Sequence, residues 1–233
     1  MRVLAIDTAS RTQSAALYED GRVVSLAGLS APAGGSENVL LLASRVLEHA
    51  KADLSGLDAI AVSRGPGSLT GLRVGIGTAQ GLAVGAGCPL LGVSTLQALA
   101  ADLGPGVPVL ALIDAGRGEV YGGLFRAVEP PHSLGDESVG RPEWFASAVE
   151  GRPVRIAGSG ALRYRELFPG AGAAPWLGGE FLAPGVARVA TAGMAAAGAQ
   201  GGPGAEARAG AEEAWDAGPR YLLRTTPPLR FEE

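Results

Sequence analysis

The chain is 233 residues long and 47% hydrophobic, with a formal charge of −4 and a pI near 5.3. That length holds one large core or two modest ones, and the acidic balance leaves no general excess of positive charge for phosphate backbones, so any nucleic-acid contact is expected to be shared with a partner. Only Lys51 among the 19 basic residues is a lysine, and it ends a predicted helix, which leaves lysine-dependent phosphate or Schiff-base chemistry one poorly placed candidate.

In chain order, Arg2 to Ile6, Ser14 to Tyr18 and Arg22 to Leu29 are apolar, β-prone runs separated by polar turns, which predicts a three-stranded meander. Ser36 is placed to cap a helix in which Val39, Leu40, Ala43, Val46, Leu47 and Ala50 recur at helical spacing up to Lys51. Ala59 to Ser63 reads as a buried strand, followed by a glycine-rich loop and a second helix over Thr70 to Val84. A strand over Leu90 to Val93 and a helix over Thr95 to Leu103 complete the first half. From Val74 to Ala101 no residue is charged, but Pro89 divides the run, and glycines and polar residues dilute each piece below a membrane span. The lone Cys88 excludes an internal disulfide and reads as a small buried side chain, and no leader pattern stands at the N-terminus, so the chain is expected to be cytoplasmic.

The chain then restarts. Val3 to Asp7 reads VLAID and Leu110 to Asp114 reads LALID; beyond each aspartate, at equal spacing, come Ala15-Ala16-Leu17-Tyr18 and Gly122-Gly123-Leu124-Phe125. This duplication predicts two lobes, 1–104 and 105–233, with 212–233 packing back on the first. The second half also predicts a strand at Val154 to Ala157, a turn at Gly158-Ser159-Gly160 and a helix over Gly185 to Ala199; Ala192 to Ala211 is Ala/Gly-rich and reads as helix fraying into a linker. Paired hairpins that each begin with an aspartate resemble the nucleotide clamp of the actin, sugar-kinase and heat-shock ATPase superfamily. The resemblance implies an α/β, two-lobed actin-like (ribonuclease H-like) fold of duplicated mixed sheets flanked by helices. Asp7 and Asp114 then mark the nucleotide cleft, or survive only as turn residues, since their turns are poor in glycine.

The sharpest local pattern is Gly65-Pro66-Gly67-Ser68-Leu69-Thr70-Gly71-Leu72-Arg73-Val74-Gly75 between a strand and a helix. It lacks the Gly-Lys-Ser/Thr of a Walker loop. Gly65, Gly67, Ser68, Thr70 and Arg73 are candidate anion contacts, with Ser68 or Thr70 as helix cap; a tight strand-to-helix connection explains the same residues. The stretch resembles the signature of the TsaB family, also called YeaZ. Ile6 to Ser10, Ile113-Asp114-Ala115, Gly118 to Tyr121, Gly158 to Ala161 and Pro219-Arg220-Tyr221-Leu222 lie where that family places its other motifs. Leu69 stands in place of an aromatic, Gly35 precedes Ser36-Glu37 in place of a histidine, and Leu223 interrupts the usual ending.

The resemblance implies a non-catalytic subunit in the threonylcarbamoylation of the tRNA adenosine beside the anticodon. It would bind and stabilise a catalytic paralogue, TsaD, and work with the ATPase TsaE. Alone it would pair with a second copy, it would meet tRNA only through the complex, and it would hold no cofactor of its own, with ATP or ADP admissible at the TsaD interface. The residues agree with this division of labour: His49 and His132 are far apart, which leaves no converging imidazoles for a metal, and Gly158-Ser159-Gly160 is not a full nucleophile elbow. The candidate partner face comprises Leu40, Leu41, Ala43, Val46, Leu47, Gly71, Gly77 and Gly81, apolar or small residues that would alternatively pack on the chain's own sheet. A stand-alone small-molecule kinase or ATPase built on Asp7 and Asp114 is the other reading.

Overall fold

Alternation along the first strand sets up the architecture. In a strand, successive side chains point to opposite faces, so Leu4 and Ile6 serve one face and Val3 and Ala5 the other. The computed structural model describes residues 1–30, 38–169 and 181–199. Its first sheet has strand order β3-β2-β1-β4-β5: β1 (Arg2–Asp7), β2 (Thr12–Glu19), β3 (Arg22–Ser30), β4 (Ala59–Ser63) and β5 (Leu90–Val93). The meander β1 to β3 is antiparallel, whereas β4 and β5 run parallel to β1.

Two helices cover the Leu4 and Ile6 face. In α1 (Val39–Ala50), Val39, Leu42, Ala43 and Val46 are buried; in α2 (Leu69–Ala86), Leu72, Ile76, Ala79 and Ala83 are. α1 begins after Asn38, which makes no side-chain cap, and Lys51 closes it with φ 52. The expected Ser36 cap lies outside the described residues, as do 212–233 and the Ala/Gly-rich stretch beyond Ala199. Of the two cap candidates for α2, Ser68 is the one used: its side chain accepts from the Gly71 N–H, and Thr70 lies inside the helix.

The opposite face is lined by small residues, Ala5, Ala16, Ala59 and Ala61, against which α6 (Ala183–Ala199) packs through Ala183, Val186, Ala187 and Ala190. Methyl-sized side chains on both elements let the helix axis approach the sheet closely. α3 (Thr95–Asp102) lies beside α6 and turns Leu96, Leu99 and Ala100 onto a second sheet.

That sheet repeats the first: β6 (Val109–Gly116) pairs antiparallel with β7 (Glu119–Arg126), which pairs with the short β8 (His132–Ser133) and β9 (Ser138–Gly140), and β10 (Arg155–Ala157) joins β6 in parallel. α4 (Pro142–Val149) and α5 (Ser159–Arg163) cover its far face through Phe145, Val149 and Ala161. The layers therefore run α1 and α2, first sheet, α3 with α6, second sheet, α4 and α5. Gly158-Ser159-Gly160, expected to be only a turn, starts α5: Gly158 takes φ 103, and the chain turns at once into the helix. α4, β8 and β9 were not anticipated. Among the described residues, no helix is long and apolar enough to cross a membrane.

Candidate functional site

The register that sets β4 parallel to β1 brings Ser63 beside Asp7. The Ser63 hydroxyl donates to Asp7 Oδ1 at 2.5 Å, and the Ala9 N–H donates to the same oxygen at 3.2 Å. Asp7 is fully buried and its Oδ2 has no partner. Burial pushes its carboxyl up to about 6, against the opposing pull of the two hydrogen bonds. A carboxylate so enclosed does not face a ligand or a metal in this arrangement.

The signature loop causes the enclosure. Ser68 N–H donates to the Ala9 carbonyl at 2.7 Å, and Thr8 Oγ1 donates to the Gly71 carbonyl at 2.8 Å. A Cβ at Gly67 would overlap the Ala9 carbonyl, one at Gly71 the Thr8 carbonyl, and one at Gly75 the Thr8 hydroxyl. Glycines at four-residue spacing thus carve a notch along α2 that seats the Thr8-Ala9 turn. The Ser68 and Gly71 N–H groups are consumed by protein acceptors. Gly67, Ser68, Gly71 and Gly75 of the pattern form a clamp on the Asp7 hairpin.

The second hairpin repeats the local geometry in a more open setting. Gly116 N–H donates to Asp114 Oδ1 at 3.0 Å, the same two-residue reach as Ala9 to Asp7, and Ser159 Oγ accepts from the Asp114 N–H at 3.1 Å. Asp114 Oδ2 lies 2.7 Å from Arg163 Nη1, so an arginine answers this carboxylate. Between the lobes, Ser94 Oγ donates to Glu137 Oε1 at 2.5 Å and Gln97 Nε2 to the Pro131 carbonyl at 2.9 Å. The contacts made by Thr8, Ser63, Glu137 and Arg163 were not anticipated from the sequence. Ser63 alone left a signal, as a polar residue closing an otherwise apolar strand.

The candidate partner residues divide. Leu40 and Leu41 are 52% and 54% exposed, Leu47 is half-buried, and a Cβ at Gly77 or Gly81 would meet nothing within 4 Å. Ala43, Val46 and Gly71 are instead buried on the protein's own sheet, because they lie on the inward stripe of their helices, and so contribute no surface. Of the remaining loop residues, Gly65 is buried while Thr70 and Arg73 are exposed. His49 and His132 are both exposed, Cys88 is half-buried with its thiol raised by burial, and no group of three His, Cys, Asp or Glu able to hold a metal occurs among the described residues.

Two duplicated mixed sheets, each opening on an aspartate hairpin, define a two-lobed actin-like protein. YeaZ from Pseudomonas aeruginosa superposes with a TM-score of 0.72 at 32% identity, covering 95% of this chain and 99% of that one. The tRNA threonylcarbamoyladenosine biosynthesis protein TsaB of Escherichia coli (strain K12) is 42% identical over 148 residues, 61% of this chain and 64% of the relative. A tRNA N6-adenosine threonylcarbamoyltransferase of Solidesulfovibrio magneticus is 34% identical over 271 residues, 99% of this chain and 69% of the relative. The family model for TsaD, tRNA N6-adenosine threonylcarbamoyltransferase, matches residues 31–140. The chain belongs to the TsaB (YeaZ) family. It spans 64% and 52% of the length of two of the curated TsaB relatives it matches, and 75% of a third.

Proposed function

We propose that the chain serves threonylcarbamoyladenosine synthesis in tRNA as a non-catalytic subunit that binds and stabilises the catalytic paralogue TsaD. The observation that carries this reading is the outer face of α1 and α2. Leu40, Leu41, Leu69 and Val84 stand 41–67% exposed there, beside the open backbone of Gly77 and Gly81. Exposed leucines around a glycine stripe suit close packing of a partner helix, and an apolar patch of this kind on a soluble fold marks a binding surface.

The enclosed Asp7 and the arginine-paired Asp114 favour a supporting role over phosphoryl transfer, because neither carboxylate is presented to a substrate. In this reading ATP or ADP, where required, sits at the interface with TsaD, TsaE supplies ATP turnover, and a second copy occupies the same helices when the paralogue is absent. Calorimetric titration against TsaD tests the surface. Leu41→Glu and Gly77→Arg are each expected to weaken binding at least tenfold, since a charge or a long side chain at the centre of an apolar contact is poorly accommodated. Wild-type affinity in both variants places the interface elsewhere.

A further inference from the structure

Where the two lobes meet, a cavity of about 220 Å³ opens at the end of the first sheet remote from Asp7. Tyr18 of β2, which pairs with Val3 at the start of β1, lines one side and Arg188 of α6 another, with Pro105, Pro130 and Pro131 completing the walls. Tyr18 belongs to the α6 face of the first sheet, so α1 and α2, which cover the other face, take no part. The walls are pinned from behind. Gln97 Nε2 donates to the Pro131 carbonyl at 2.9 Å, and Arg155 donates to the Leu103 and Gly104 carbonyls, both at 2.6 Å, which fixes the chain leading into Pro105. The fold therefore builds the cavity in advance of any occupant.

Two polar groups are left available in it. Tyr18 is only 5% exposed, yet its hydroxyl makes no hydrogen bond among the described residues. A hydroxyl so placed forfeits hydrogen-bond energy that a ligand can restore. Arg188 is half-buried, gives one N–H to the Ala101 carbonyl at 3.3 Å and forms no ion pair among the described residues. Two acids temper its charge without pairing with it. Asp102 feels Arg188 from beyond ion-pair distance and is raised by burial to about 7, while Glu129 lies at the rim, exposed to water. One arginine opposed in this way suits a single negative charge better than the nearly two of a phosphate monoester. The proline rings offer apolar walls without N–H donors. The volume falls below the roughly 300–1,000 Å³ of pockets for drug-sized molecules, which restricts the occupant to a smaller one.

We infer that this cavity binds a small organic carboxylate, its oxygens held by the Arg188 guanidinium and the Tyr18 hydroxyl and its apolar body by the proline walls. The site stands apart from the partner face of α1 and α2 and does not depend on the function proposed for that face.

Amide chemical-shift titration of the isotope-labelled chain with isovalerate, a short branched carboxylate, tests it, beside the uncharged isovaleramide and inorganic phosphate. Isovalerate is expected to shift the amides of Gly21, Gly104 and Val128, which line the cavity, and to saturate with a Kd of roughly 1–5 mM, as suits so small a ligand. Isovaleramide should bind at least tenfold more weakly, since it lacks the charge that strengthens the hydrogen bonds. Tyr18→Phe and Arg188→Gln should each weaken isovalerate about fivefold or more. Tyr18→Phe keeps the ring in the core, so the prediction stands on that variant if Arg188→Gln does not fold. Lack of saturable shifts at these amides by about 50 mM, equal binding of the amide, or unchanged affinity in Tyr18→Phe overturns the inference. Phosphate binding more tightly than isovalerate at the same amides also overturns it, because the site would then be one for phosphate.

Discussion

Asp7 and Asp102 are carboxyl groups in surroundings that disfavour their charged form. Burial raises Asp7 to about 6 and Asp102 to about 7, the latter despite the opposing charge of Arg188. Both values lie above the 3.8 of an unperturbed aspartate. The folded state therefore holds protons that the unfolded state releases, so the stabilisation is complete below about pH 4 and is lost as pH rises through 6 and 7. Urea unfolding at pH 5 and pH 8 should show lower stability at pH 8. Asp7→Asn should reduce that difference by roughly 1.4 kcal/mol, the one pH unit of linkage between pH 5 and the folded value of about 6. Equal pH dependence in variant and wild type would show that Asp7 is ionised or solvated in the folded protein. A catalytic aspartate and a structural one look alike in sequence, since Ser63 and the Ala9 N–H reach Asp7 only once β4 lies beside β1.

At the scale of elements, α2 carries glycines of two kinds on opposite sides. Gly67, before the helix, and Gly71 and Gly75, within it, touch the Asp7 hairpin, whereas Gly77 and Gly81 face outward with open space around them. Gly75→Ala should destabilise the protein by about 2 kcal/mol or more, because its methyl group meets the buried Thr8 hydroxyl held on the Gly71 carbonyl. Gly77→Ala should raise monomer stability by up to about 1 kcal/mol through helix propensity. Thermal melts of the two variants check the contrast, and a shift in the same direction for both would refute the assignment of faces. Hydrophobic periodicity made β4 and β5 legible to the residue and α2 and α3 nearly so. It also marked the outward Leu40 and Leu41 but not the burial of Val46 and Gly71, because an apolar residue announces its helix and not which neighbour covers it. β8 and β9 were illegible for a related reason: at two and three residues they are too short to establish a period, and pairing with β7 defines them.

At the scale of the whole molecule, the duplicated VLAID and LALID strands announced two sheets, and the sheets share their order around β1 and β6. What repetition does not reveal is the layer between them. α6 follows the second sheet in sequence yet packs on the first, and α3 packs on both α6 and the second sheet. Together with the Ser94 to Glu137 and Gln97 to Pro131 hydrogen bonds, this layer binds the two lobes through a shared core. The glycines of the family signature clamp one hairpin, and the outer helices are the surface proposed above for the partner. Reconstituted threonylcarbamoylation of tRNA, with the paralogue and its ATPase present and this chain supplied as wild type, Asp7→Asn or Leu41→Glu, tests that account most directly. It predicts near wild-type product with Asp7→Asn and product reduced at least tenfold with Leu41→Glu; loss with Asp7→Asn and full activity with Leu41→Glu would contradict it.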